Sequence, residues 1–130
     1  MPLFTLADVA FGPIFFVVMA GAFFPFLLAL VLETAILRAL GWGSLYAAFI
    51  DILLANLLTT VVGCFFFWRE FYLESIWFWL GAWLLSSILE AGVLYYRREV
   101  SVVRAGLSSL AFNTASYILL IWLYWPLIQF

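Results

Sequence analysis

Charged side chains interrupt this chain so rarely that their positions divide it. Val9 to Leu32 and Ala105 to Ile128 are each 24 residues without a charge. At about 1.5 Å per helical residue, either run crosses a hydrocarbon core of about 30 Å. Leu45 to Trp68 carries only Asp51, and Ser75 to Tyr96 carries only Glu90. Each reads as a further span holding one acid, a group rarely placed in a membrane without a role. The pattern therefore predicts an all-α integral membrane protein, a four-transmembrane-helix bundle forming one transmembrane domain over residues 1–130. The first run is not expected to be a cleaved signal peptide, because it lacks a basic leader and exceeds the usual 7–15-residue apolar stretch.

The polar positions also repeat. A shift of 57 residues superposes Leu32-Glu33 on Leu89-Glu90, Ser44 on Ser101, Ala48 on Ala105 and Asn56 on Asn113, and it places Thr59 on Ser116. Apolar coincidences mean little in so Leu-rich a chain, whereas glutamate, serine, asparagine and a hydroxyl residue at one constant offset do carry weight. Two tandem helical hairpin repeats of parallel topology are expected, the first spanning about 9–68 and the second about 73–128. A pseudo-two-fold axis would then run along the membrane normal.

Within each expected hairpin, glutamate and asparagine are 23 residues apart. Residues equidistant from the turn of an antiparallel hairpin lie level, so each Glu should face its own Asn. Ser44 and Ser101 are placed to cap the second helix of each pair. Counting 12 residues inward from them puts Asn56 and Asn113 about 18 Å along the axis, near the bilayer midplane. Helical periodicity puts Ala48, Ile52, Ala55, Asn56, Thr59 and Gly63 on one face of span two. It likewise gathers Ser109, Asn113 and Ser116 on span four, Ser87, Glu90 and Ala91 on span three, and Ala22, Ala29 and Glu33 on span one. Small residues beside polar ones let membrane helices approach closely. Pro25 should kink span one outward of Glu33. By the same levelling argument Arg38 and Asp51 are expected to form an interfacial ion pair, worth little if wet.

Composition narrows the function classes. The chain is 69% hydrophobic and 9% charged, with a net charge of −2 and no lysine. Its mean hydropathy is +1.24. No basic patch exists for nucleic acid. Without histidine, a His-ligated haem and most zinc or copper sites lose their usual ligand, and no metal site is expected. Cys64, the single cysteine, reads as an inert packing residue. No nucleophile–base set or phosphate loop is present, so no catalytic residue is assigned and an enzyme is the less favoured reading.

Arginine sets the orientation. Arg38, Arg97, Arg98 and Arg104 flank the first and third connections, while the opposite side has Arg69 with Asp8, Glu70 and Glu74. Basic residues favour the cytoplasmic side, so both termini are expected outside, with a prokaryotic inner (plasma) membrane as the location. Trp68, Tyr72, Trp77 and Trp79, with Trp122, Tyr124 and Trp125, fit an aromatic belt on that outer side.

Two functions follow for the polar set Glu33, Asn56, Thr59, Glu90, Asn113 and Ser116. In the favoured one the Glu–Asn pairs are structural clamps: a neutral carboxyl donates to the Asn carbonyl and accepts from its amide. A small protein without catalytic parts then fits a non-catalytic accessory or assembly subunit of a larger membrane complex. The alternative is a proton- or cation-coupled small transporter or channel using Glu33 and Glu90 as ion-binding groups. No cofactor is expected. The paired rings Phe15–Phe16 and Phe23–Phe24, with the triplet at 65–67, leave contact with lipid, a quinone or a pigment open. Partners would be membrane lipids and other membrane subunits, or further copies of the chain. Small multidrug transporters share its length, span count and a first-span glutamate, but not the asparagine 23 residues on; the arginine- and glycine-rich signature of fluoride channels is absent.

A soluble reporter fused after Phe130 tests the orientation. Activity confined to the non-cytoplasmic side is expected, and cytoplasmic activity would reverse the topology.

Overall fold

A computed structural model describes residues 23–67 and 76–124. Every regular element among them is helical: α1 over residues 23–39, α2 Leu45–Phe67, α3 Ile76–Arg98 and α4 Val102–Tyr124. The last three, 23 residues each, are long and apolar enough to cross a membrane. The described part of α1 is too short to qualify, because most of its apolar run, residues 9–22, lies outside the described residues.

The helices overrun the apolar segments at the arginine-bearing end. α1 continues past Leu32 through Glu33 and Arg38, and α4 begins three residues before Ala105. Hydropathy stops at a charge, but backbone hydrogen bonding does not. What ends each helix is a cap. Gly41, at φ 79°, closes α1 in a Schellman turn: its N–H bonds Arg38 O at 3.1 Å, and Trp42 N–H reaches back to Leu37 O at 3.3 Å. A left-handed residue without a Cβ suits this position, and the usual apolar contact joins the residue beyond it to the last helical turn. Here Trp42 and Leu37 supply that contact, both within the core cluster. Ser44 and Ser101 start α2 and α4 as the sequence predicts, each Oγ accepting a backbone N–H three residues on, from Ala47 and Arg104, at 3.2 Å.

α3 ends differently. Glu99 adopts φ 50°, and its N–H bonds Tyr95 O at 3.1 Å, which is the single-bond left-handed cap.

α2 packs against α3 and α3 against α4. The apolar core lies toward the Ser44/Ser101 end of the bundle, where Leu37, Trp42, Ala48, Ile52, Leu94, Ala105 and Phe112 are buried together. Alanines 48, 55 and 105 have no exposed surface, so helix backbones come close where lipid gives no hydrophobic drive to associate. Large apolar side chains point outward instead: Val31, Phe65, Trp77 and Trp122 are exposed, the reverse of a water-soluble domain. Cys64 also lies on this outer surface and does not pack in the bundle as expected. It sits one residue from Gly63, which turns toward the other helices. Of the expected aromatic belt, Trp77 and Trp122 stand exposed, whereas Trp79 packs edge-on against Tyr117 with ring centres 6.3 Å apart. Trp68, Tyr72 and Trp125 lie outside the described residues, as does Ala22. Pro25 is buried near the first described residue of α1, so a kink there falls at the edge of what is described.

A left-handed conformation costs a non-glycine residue about 1 kcal/mol. Glu99→Gly should therefore raise the midpoint of denaturant unfolding in mixed micelles by about 0.5–1 kcal/mol. Gly41→Val should lower it by more than 1 kcal/mol.

Candidate functional site

The polar side chains form two layers. In the first, Asn56 Nδ2 on α2 donates to Glu33 Oε2 on α1 at 2.6 Å. Asn113 Nδ2 on α4 donates to Glu90 Oε2 on α3 at 2.5 Å. Each amide nitrogen also donates to the carbonyl one turn back, Ile52 O and Ser109 O, both at 3.1 Å. Its two hydrogens are thereby used and its orientation fixed. The reciprocal bond, from a carboxyl hydroxyl to the asparagine carbonyl, is not formed in either pair among the described residues. The carboxyl accepts in both.

Hydroxyls link the two pairs crosswise. Thr59 on α2 donates to Glu90 Oε1 on α3 at 3.3 Å. Its counterpart at the 57-residue offset, Ser116 on α4, is buried beside the Glu33 carboxyl, though no hydrogen bond of ordinary length closes between them. The two carboxyls are near enough to act on each other electrostatically. All six predicted polar residues line one cavity of about 440 Å³. Glu33, Glu90, Asn113 and Ser116 are buried, and Asn56 and Thr59 are half-buried. The cavity continues from the carboxyls away from the apolar core, past Ala29, Ser86 and Tyr117.

The second layer lies at the arginine end. Asp51 has no exposed surface and is held from both sides, Arg97 Nε donating to Oδ1 at 2.7 Å and Arg98 Nε to Oδ2 at 2.5 Å. The expected partner Arg38 is not among these contacts, and it stands exposed. Arg38 is level with Asp51 along the hairpin but faces outward, while the end of α3 comes down on the buried face of α2. At the 57-residue offset from Asp51 stands Ser108, whose Oγ accepts from Trp42 Nε1 at 3.0 Å. Arg104 covers the Trp42 ring, its guanidinium carbon 5.1 Å from the ring centre.

Other polar contacts were not legible beforehand. Ser109 Oγ donates to Ser87 O at 2.8 Å, and Ser86 and Tyr117 share a hydrogen bond of 3.1 Å. Both tie α3 to α4. Ser108 could have been found by applying the 57-residue shift to Asp51, but a serine opposite an aspartate does not announce itself as an equivalent. Nothing in the local pattern separates Ser86 from Ser87. Among the described residues no group of three or more acidic or sulfur ligands could hold a metal ion.

No family model, no curated protein and no solved structure matches the chain.

Removing the Asp51 charge leaves two arginines facing one another across a neutral group. Both retain access to solvent, so Asp51→Asn should lower unfolding stability in micelles by about 1–3 kcal/mol, less than for a fully buried pair. Arg38→Gln should change it by less than about 0.5 kcal/mol. Equal effects of the two would contradict the assignment of Arg97 and Arg98 as the partners.

Proposed function

We propose that the protein is a small integral membrane protein of four spans, built as two tandem hairpin repeats, in which Glu33 and Glu90 form one proton- or cation-exchanging centre used in transport. The observation that carries this reading is the convergence of both carboxyls on a single cavity, with Asn56, Asn113, Thr59 and Ser116 around them. Clamps that only fastened helices would be best kept apart, since two negative charges in a poorly solvated interior repel. A proton shared between the carboxyls, or a cation bound there, relieves that repulsion. Occupancy of the centre is then coupled to its charge, and such coupling is what a transport cycle uses. The amide and hydroxyl donors hold the carboxyls in place when they are ionised. The arginine-rich end faces the cytoplasm and both termini lie outside.

A second reading, as accessory or assembly subunit, has its own support. Each carboxyl already accepts from a neighbouring helix, Glu90 from two, so the pairs fasten the bundle even without an ion.

Flux separates the two. The full chain reconstituted in liposomes should carry protons, sodium or potassium above the empty-vesicle rate, and Glu33→Gln with Glu90→Gln should reduce that flux at least tenfold. Undiminished flux in the double variant, or none from the unaltered chain, would remove the transport reading. Stoichiometric copurification of another membrane protein after mild solubilisation would then favour the accessory one.

A further inference from the structure

A second concave surface lies on the outside of the bundle, where α2 and α3 meet. Leu54, Leu58, Ile88, Leu89, Gly92 and Val93 form an apolar groove of about 570 Å³ that ends at Tyr96 and Arg97. From Ile88 to Arg97 it runs about 14 Å along α3, close to the thickness of one leaflet, about 15 Å. Gly92 keeps it open: a Cβ there would meet no atom within 4 Å. Arg97 spends only its Nε on Asp51. A guanidinium has five N–H donors, and 40% of this side chain is exposed, so its terminal amino groups remain for another anion. Tyr96 stands out beside it, 85% exposed, as an interfacial ring does.

The charges at this end favour an anion. Asp51 is shared by Arg97 and Arg98, Arg38 and Arg104 are exposed, and Glu99 is the remaining acid. The surface is therefore net positive by two. At the 57-residue offset the corresponding positions on α1 are Ala35, Ala39 and Leu40, in place of Gly92, Tyr96 and Arg97. Those positions offer no arginine and no glycine opening, so the feature belongs to one side of the molecule.

We propose that this groove is a specific site for one anionic phospholipid of the arginine-side leaflet, with an acyl chain along Gly92 and the phosphate on Arg97. The inference rests on the membrane reading above, and not on ion transport. A groove one leaflet deep with a cation at its mouth has the shape and charge of such a lipid. Zwitterionic lipids carry their own cation near the phosphate and gain less from the arginine.

Native mass spectrometry of the delipidated full chain, offered equal phosphatidylglycerol and phosphatidylcholine, tests this. One phosphatidylglycerol per chain should be retained with at least fivefold preference. Arg97→Gln should abolish the preference, Gly92→Leu should reduce retention of both lipids, and Arg104→Gln should leave binding unchanged. Glu33→Gln with Glu90→Gln should bind lipid as the unaltered chain does, so a failure of the transport reading leaves this result standing. Release of the chain from native membranes only by detergent checks the membrane reading separately. Lack of preference in the unaltered chain would overturn the proposal. So would unchanged phosphatidylglycerol retention in both Arg97→Gln and Gly92→Leu, with unaltered helical circular dichroism showing that both variants are folded.

Discussion

A polar group within lipid must find its partner inside the protein, and that single constraint accounts for how these helices meet. Each side-chain contact between helices involves a group that would otherwise stand unsatisfied in hydrocarbon. Glu33 draws α1 to α2, Glu90 draws α4 to α3, and Thr59 joins the two pairs by binding Glu90 from the other side. The apolar core has a different task. In lipid it gains little from leaving its surroundings, so alanines 48, 55 and 105 matter for the closeness they permit more than for the area they cover. Packing sets the distance between helices, and hydrogen bonds choose which faces meet.

The resulting molecule is divided along its length. Toward the serine caps the interior is filled by Leu37, Trp42, Ile52, Leu94 and Phe112. Past the glutamates it gives way to a cavity lined by hydroxyls and aromatic rings. Acids at the boundary between a packed half and an open half touch protein on one side and space on the other. That placement makes a change of protonation or occupancy there mechanically felt by all four helices.

Much of this could be seen in the amino-acid pattern, for identifiable reasons. Uninterrupted apolar runs gave the helices because lipid forbids most alternatives. The 23-residue spacing brought Glu33 to Asn56 and Glu90 to Asn113, since the level of residues in a hairpin is fixed by helix rise and turn position alone. Azimuth is harder. Arg38 had the right height for Asp51 but the wrong direction, and only the packing of a third helix decided that Arg97 and Arg98 would arrive there. Cys64 failed similarly: one residue along a helix is a turn of about 100°, enough to separate its lipid-facing side chain from Gly63. Contacts such as Ser86 with Tyr117 depend on the relative rotation of α3 and α4, which no spacing within either helix encodes.

The pairing of Asp51 with Arg97 and Arg98, set beside that of Ser108 with Trp42, bears on which halves can associate. Both contacts cross from one half of the chain to the other at equivalent positions, but they speak different chemical languages. Two first halves brought together would bury a pair of aspartates with no arginine to meet them, because Leu40 and Gly41 stand where Arg97 and Arg98 would be needed. Two second halves would press arginines against serines. Only the mixed pair neutralises the acid and satisfies the indole. The halves have thus become a lock and its own key, and a bundle assembled from them is obliged to contain one of each.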